Sequence, residues 1–352
     1  MCKENNEFKV KLKYRSGYKL IGRKQNVLIN TLIGCNNFEE LESLEEKICT
    51  LQTMENKTDI VTDVSTIKIG NMPLWKRVCT ETDFISSTVP IYFLENKKEI
   101  CNNELLEIIH EQLQGGVGII TIHPTATKEL IKLSEKRITS CTSRGGNIII
   151  NDLKKTGKNK YMELLPYIIK LCKKYDSVIS IGTTFRTANI IDSFDEAQKK
   201  EIELQMELAD IISDNKVGVI IESPGHATPK KIKKICKLLK KRSYPIMPLG
   251  PIPTDIAIGN DHIAAIGVTL MGLEECVQII SAVTREEHTG NIPSIDSMKE
   301  AIEAARIAAH IIDININDDY SLDRIIARNR VKSCIGADNE GCSRCGELCP
   351  LL

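Results

Sequence analysis

Gly118-Ile119-Ile120-Thr121-Ile122-His123 is a short, almost unbroken apolar run that ends on a histidine. A strand of this composition is buried on both faces, as a parallel sheet demands. The glycines of Gly115-Gly116-Val117-Gly118 precede the run. A dinucleotide-binding turn needs them after the strand, so that reading is discounted. Similar runs recur at Val27-Leu28-Ile29, 60–64, Val89-Pro90-Ile91-Tyr92, 177–181, 217–221, Tyr244-Pro245-Ile246-Met247 and 264–268. Helical patterns lie between them over 38–51, 103–113, 161–174, 194–212 and 229–240. About eight alternations over roughly 250 residues predict an α/β chain folded as a (β/α)8 TIM-type barrel, with an open doubly wound sheet as the alternative. Polar residues stand just past the strands, among them His123, Thr183 and Glu222. In a barrel those strand ends form the catalytic face. The expected organisation is a short N-terminal segment over 1–24, the barrel over 25–315 and a C-terminal tail over 316–352.

Composition narrows the functional class. The 352 residues carry 47 basic and 47 acidic side chains, so no charge imbalance points to nucleic acid or an anionic membrane. No apolar run approaches the roughly 20 residues that span a bilayer. The start, MCKENNEFKVKLK, lacks a signal-type apolar stretch. Thirteen cysteines is an odd count, and ten are scattered singly, which suits a reducing cytoplasm better than a disulfide framework.

Cys342, Cys345 and Cys349 crowd into CSRCGELC at the end of the chain. Three thiols this close leave one unpaired in any disulfide scheme, but they can bind metal. Three thiolates on a four-iron cluster leave one iron open to a small molecule, whereas a structural zinc needs a fourth ligand. Spacing alone leaves iron–sulfur and zinc open. His226 closes Glu222-Ser223-Pro224-Gly225-His226, and His288 lies in Glu286-Glu287-His288. Each alone reads as an ordinary loop residue; together they can share a divalent ion. Ser143-Arg144-Gly145-Gly146 reads as a small basic loop whose N–H groups and guanidinium suit a phosphate, or as a surface turn.

Taken in order, TIH (121–123), TSRGG (142–146), DEAQ (195–198), ESPGH (222–226), LGPIPTDIA (249–257), NDH (260–262), EH (287–288), IAAH (307–310) and CSRCGELC (342–349) form a specific set. The chain resembles the phosphomethylpyrimidine synthase family of radical S-adenosylmethionine lyases from about Asn30 onward. The resemblance implies a (β/α)8 barrel with a C-terminal [4Fe–4S] cluster tail. It implies a homodimer in which that tail reaches the partner's site, and a flavodoxin- or ferredoxin-type reductant. The implied reaction converts 5-aminoimidazole ribonucleotide to hydroxymethylpyrimidine phosphate through a 5′-deoxyadenosyl radical. Cys342, Cys345 and Cys349 would hold the cluster and thereby count as catalytic with Glu222. S-adenosylmethionine would chelate the open iron. His226 and His288 match the family's ligands for zinc or another divalent ion. Tyr92, His123, Ser143, Arg144, Gly145, Arg186 and Glu222 match its substrate contacts.

The chain departs from the family pattern around the substrate. Leu32 replaces an asparagine, Thr62 a methionine, and Met247 a tyrosine. Ser223 replaces a glycine, and Asn260 a tyrosine. Thr183-Thr184-Phe185-Arg186 stands for Asp-Gly-Leu-Arg, so a carboxylate is lost. A changed product such as 5-hydroxybenzimidazole, or a non-catalytic nucleotide-binding paralogue, is the alternative.

Overall fold

The computed structural model describes residues 9–67, 72–330, 334, 345 and 348. An antiparallel hairpin, β1 (Val10–Tyr14) and β2 (Gly17–Ile21), precedes seven parallel strands. These are β3 (Leu28–Ile33), β4 (Ile60–Asp63), β5 (Ile85–Thr88), β6 (Ile119–Ile122), β7 (Val178–Ile181), β8 (Val219–Ile221) and β9 (Ile279–Ala282). They pair in the order β8-β7-β6-β5-β4-β3-β9. Segment 245–247 joins the two ends of that series. Ile221 N donates to Pro245 O and Met247 N to Ile221 O, both at 3.0 Å. On the other side Gln278 N and Ile279 N donate to Ile246 O at 3.0 and 3.2 Å. The segment is an eighth stave that closes the ring, as a barrel requires. It is not a regular strand because Pro245 has no N–H to give. The Ile246 N–H turns to the Gln278 side chain instead (2.8 Å).

Two expected strands lie elsewhere. Residues 89–92 fall in a 3-10 turn, Pro90–Leu94, and the strand is Ile85–Thr88 just before it. Its Ser86-Ser87-Thr88 sequence looks polar, yet every residue is buried. Ser86 Oγ donates to Trp75 O (3.2 Å) and Thr88 Oγ1 to Gln112 Oε1 (2.8 Å), which removes much of the cost of burial. Residues 264–268 begin a helix, Ala264–Gly272, and the last strand is Ile279–Ala282. A short all-apolar run carries no period by which to tell helix from strand.

The hairpin closes one mouth of the barrel. Its Val10, Leu12 and Ile21 share a core with Leu28, Ile60, Ile85, Ile119 and Val178, which begin or nearly begin their strands. Alternation explains the fit: Val10 and Leu12 are buried while Lys11 between them is exposed. The C-terminal strand ends are left as the open mouth. The chain divides into two compact units, Met1–Ile312 and Asp313–Leu352. In the second, helix Ser321–Asn329 has no buried residue. No helix among the described residues is long and apolar enough to cross a membrane.

Candidate active site

A cavity of about 590 Å³ opens at the C-terminal mouth of the first unit. Glu222 enters it directly after β8, with its carboxylate accepting the Thr183 N–H (3.2 Å). Burial pushes its pKa above the usual carboxylate range; the Arg186 guanidinium and the Thr183 N–H pull it back.

The loop that follows β7 and carries Arg186 is held from behind by helix Glu196–Asp214. Glu201 accepts Thr184 N at 2.6 Å, Phe185 N at 2.9 Å and the Thr125 hydroxyl at 2.6 Å. Burial raises its pKa to about 7 against those bonds. Gln205 donates to Ile181 O (3.1 Å) and Gln198 to Pro224 O (2.5 Å). Asp195 caps the helix through Gln198 N (2.8 Å) and takes both arms of Arg137 at 2.8 Å. Arg137 in turn donates to Phe185 O (2.7 Å). The DEAQ motif is thus a brace for two site loops.

His123 follows β6 and is buried. Its Nε2 lies 3.2 Å from Ser143 Oγ, and its Nδ1 has no partner. Burial, with help from Arg186, pushes its pKa down to about 3. The ring slots between two glycines: a Cβ on Gly145 would sit 2.4 Å from its Cε1, and one on Gly182 2.7 Å from its Nε2. Ser143-Arg144-Gly145-Gly146 is not a free loop. Ser143 caps helix Arg144–Thr156 by accepting Gly146 N (3.1 Å), so the motif presents a helix N-terminus, a ready anion site, to the cavity. Arg144 lies over the Tyr92 ring (5.2 Å) and is tied to Glu95 (2.8 Å) and Asn36 (3.1 Å). Burial pushes the Tyr92 phenol up to about 12.

His226 and His288 come from different loops and meet. Their Nε2 atoms are 3.4 Å apart, with ring planes at 81°. His226 Nδ1 lies 2.8 Å from Asp255 Oδ1, and His288 Nδ1 3.0 Å from Asp261 Oδ1. In the neutral rings a carboxylate partner, which only accepts, leaves the proton on each Nδ1, and both Nε2 lone pairs then face each other. A cation between them relieves that repulsion, and the carboxylate–histidine pairing is the arrangement that orients metal ligands. Burial lowers the His226 pKa, opposed by Asp255, which favours the neutral ring a metal needs. Among the described residues no group of three such donors converges.

Tyr92, His123, Ser143, Arg144, Arg186, Glu222, His226 and His288 all line this cavity; Gly145 stands behind the wall against His123. Leu32, Thr62 and Met247 line it too. Thr62 Oγ1 donates to Asn30 Oδ1 (2.7 Å), and Asn30 Nδ2 reaches Ser281 Oγ (3.4 Å). Cys345 is exposed and belongs to the second unit; Cys342 and Cys349 lie outside the described residues. Sequence reading misses Asn30 and Lys47 as lining residues. Lys47 had a signal: it falls on the stripe Leu44, Lys47, Ile48 and Leu51 that helix Leu41–Thr53 buries.

A buried carboxyl, a helix N-terminus with arginines and a pair of oriented imidazoles at the open mouth of a barrel define an enzyme that acts on a small molecule. The model of the Radical SAM ThiC family matches residues 8–334. The chain is 31% identical to the phosphomethylpyrimidine synthase of Clostridium tetani, covering 94% of this chain and 79% of that one. It is also 31% identical to that of Desulforamulus reducens (94% and 84%) and 30% to that of Fusobacterium nucleatum (94% and 82%). The chain belongs to the Radical SAM ThiC family and is a radical S-adenosylmethionine lyase, a class that works with S-adenosylmethionine and an iron–sulfur cluster.

Proposed function

We propose that the protein converts 5-aminoimidazole ribonucleotide to 4-amino-5-hydroxymethyl-2-methylpyrimidine phosphate in thiamine biosynthesis. The observation that carries this is the meeting of Glu222, Arg186, His123 and the Ser143 helix start in one cavity, on a chain of this family. The Ser143 start and the Arg144 and Arg186 guanidinium groups suit the phosphate. Neutral His123 offers or accepts one hydrogen bond without adding charge. Glu222, poised by burial against Arg186, takes or returns a proton.

Cys342, Cys345 and Cys349 would hold the cluster; three thiolates are the donors it needs. When bound, it supplies the electron that cleaves S-adenosylmethionine. His226 and His288 would hold zinc or another divalent ion, which supplies a Lewis acid. A flavodoxin- or ferredoxin-type reductant, a homodimeric assembly and a cytoplasmic location complete the reading.

Anaerobic reconstitution followed by S-adenosylmethionine, reductant and 5-aminoimidazole ribonucleotide tests it. The expected result is a brown protein that releases 5′-deoxyadenosine and the pyrimidine phosphate, with both products lost in Cys345→Ala. A colourless protein that gains no iron and sulfide sinks the proposal. Leu32, Thr62 and Met247 on the cavity wall favour a second reading, an altered product such as 5-hydroxybenzimidazole. Mass analysis of the same reaction separates the two.

A further inference from the structure

His123 is held at two points by the starts of two helices that follow it. Its ring meets Ser143, which caps helix Arg144–Thr156. Its main chain meets Asn159, which caps helix Lys160–Tyr175 and is buried behind the cavity wall. Asn159 Oδ1 accepts Tyr161 N (3.0 Å) and Met162 N (3.4 Å). Its Nδ2 donates to His123 O and Ala126 O, both at 3.2 Å. Backbone N–H groups only donate and carbonyls only accept, so these four partners fix which way the amide points.

A helix cap needs an oxygen alone, and serine, threonine or aspartate would serve. The amide N–H groups of Asn159 are beyond what the cap requires. They go to the two carbonyls that bound the turn His123-Pro124-Thr125-Ala126. Other groups hold the rest of that turn. Thr125 Oγ1 donates to Glu201 Oε1 (2.6 Å), and Thr127 caps the next helix by accepting Leu130 N (3.1 Å). The His123 peptide itself has little room to move. Its ring stands so close to Gly145 and Gly182 that a Cβ on either would clash with it. A small shift of the backbone at His123 therefore presses the ring on one of these glycines or draws it off Ser143.

We propose that Asn159 is a positioning residue: its amide sets the backbone at His123 and thereby the place of the imidazole that meets the ribonucleotide. The identity of that ligand rests on the proposed function. The inference adds a residue outside the cavity wall on which its binding depends.

The test uses the full chain and two substitutions. Asn159→Ser keeps a cap oxygen and loses the amide N–H groups; Asn159→Ala loses the cap as well. Thermal melts check the fold, and Asn159→Ser carries the test if Asn159→Ala does not fold. The readouts are the imidazole ¹⁵N shifts of His123 and calorimetric binding of 5-aminoimidazole ribonucleotide. In Asn159→Ser the shifts should depart from the wild-type values, and the ribonucleotide should bind roughly 10-fold more weakly, as for one misplaced hydrogen bond. Asn159→Ala should match it in both, because the cap oxygen is not what places the ring. A capping role alone gives a different pattern, with Asn159→Ser like wild type and only Asn159→Ala impaired, and that result overturns the inference. So does a change in one readout without the other. If the wild-type chain binds no 5-aminoimidazole ribonucleotide, the proposed function falls, and the His123 shifts still decide whether Asn159 sets the ring.

Discussion

Burial holds the His123 pKa near 3, against about 6.5 for a free imidazole, so the ring that faces Ser143 is neutral at every pH where the enzyme would work. Imidazole ¹⁵N shifts of this residue should stay constant from about pH 5 to pH 8, the range in which a free histidine titrates. The unfolded chain takes up that proton near 6.5 and the folded chain only near 3. The stability His123 contributes is therefore present above about 6.5 and lost as pH falls toward 3. Glu222 is the group that can move a proton. Glu222→Gln keeps the shape and should lower product formation by roughly 100- to 10,000-fold with the fold intact, read from turnover and a thermal melt. Most of the chemistry-bearing residues were legible because they stand just past apolar strands, where a barrel puts its functional side chains. Lys47 was not, since a lysine on a helix ordinarily marks the solvated face, and only its register among Leu44, Ile48 and Leu51 says otherwise.

At the scale of elements, helix Glu196–Asp214 acts as the brace of the site. Its cap, Asp195, is also the partner of Arg137, whose side chain is 1% exposed. Asp195→Ala removes the cap and leaves a buried guanidinium unpaired. The expected cost is about 3–5 kcal/mol in urea unfolding. Because Arg137 also holds Phe185 O, the substrate KM should rise before kcat changes. The strands were readable where they are aliphatic, as in β6 and β7, and were not where hydroxyl groups build them, as in β5. Ser86 and Thr88 look like loop residues until Trp75 O and Gln112 are seen to receive them. The helix start at Ser143 was hidden for a related reason. Its two glycines suggest a turn, but they serve close packing on His123 and the Thr184 backbone.

For the whole molecule, the hairpin of β1 and β2 decides how firmly the barrel is sealed. Leu12 is fully buried in the core that it shares with the strand starts. Leu12→Ala should cost about 2–5 kcal/mol by denaturant unfolding, as much as a loss at the centre of the barrel. The hairpin, which sequence reading leaves as part of a short N-terminal segment, is a structural plug; its short alternation of lysines and aliphatic residues is the trace of it.

The closing stave at 245–247 bears on motion. Every other joint of the ring is a ladder between named strands, whereas this one rests on isolated bridges, a proline and a glutamine side chain. It is the zip of the barrel. Amide protons of Met247 and Ile279 should trade with deuterium sooner than those of β6, although all are buried. The chain just beyond this zip carries Asp255, which steers His226. A parting of the ring there would loosen the hold of Asp255 on one imidazole, so retention of the divalent ion proposed for His226 and His288 would depend in part on that seam.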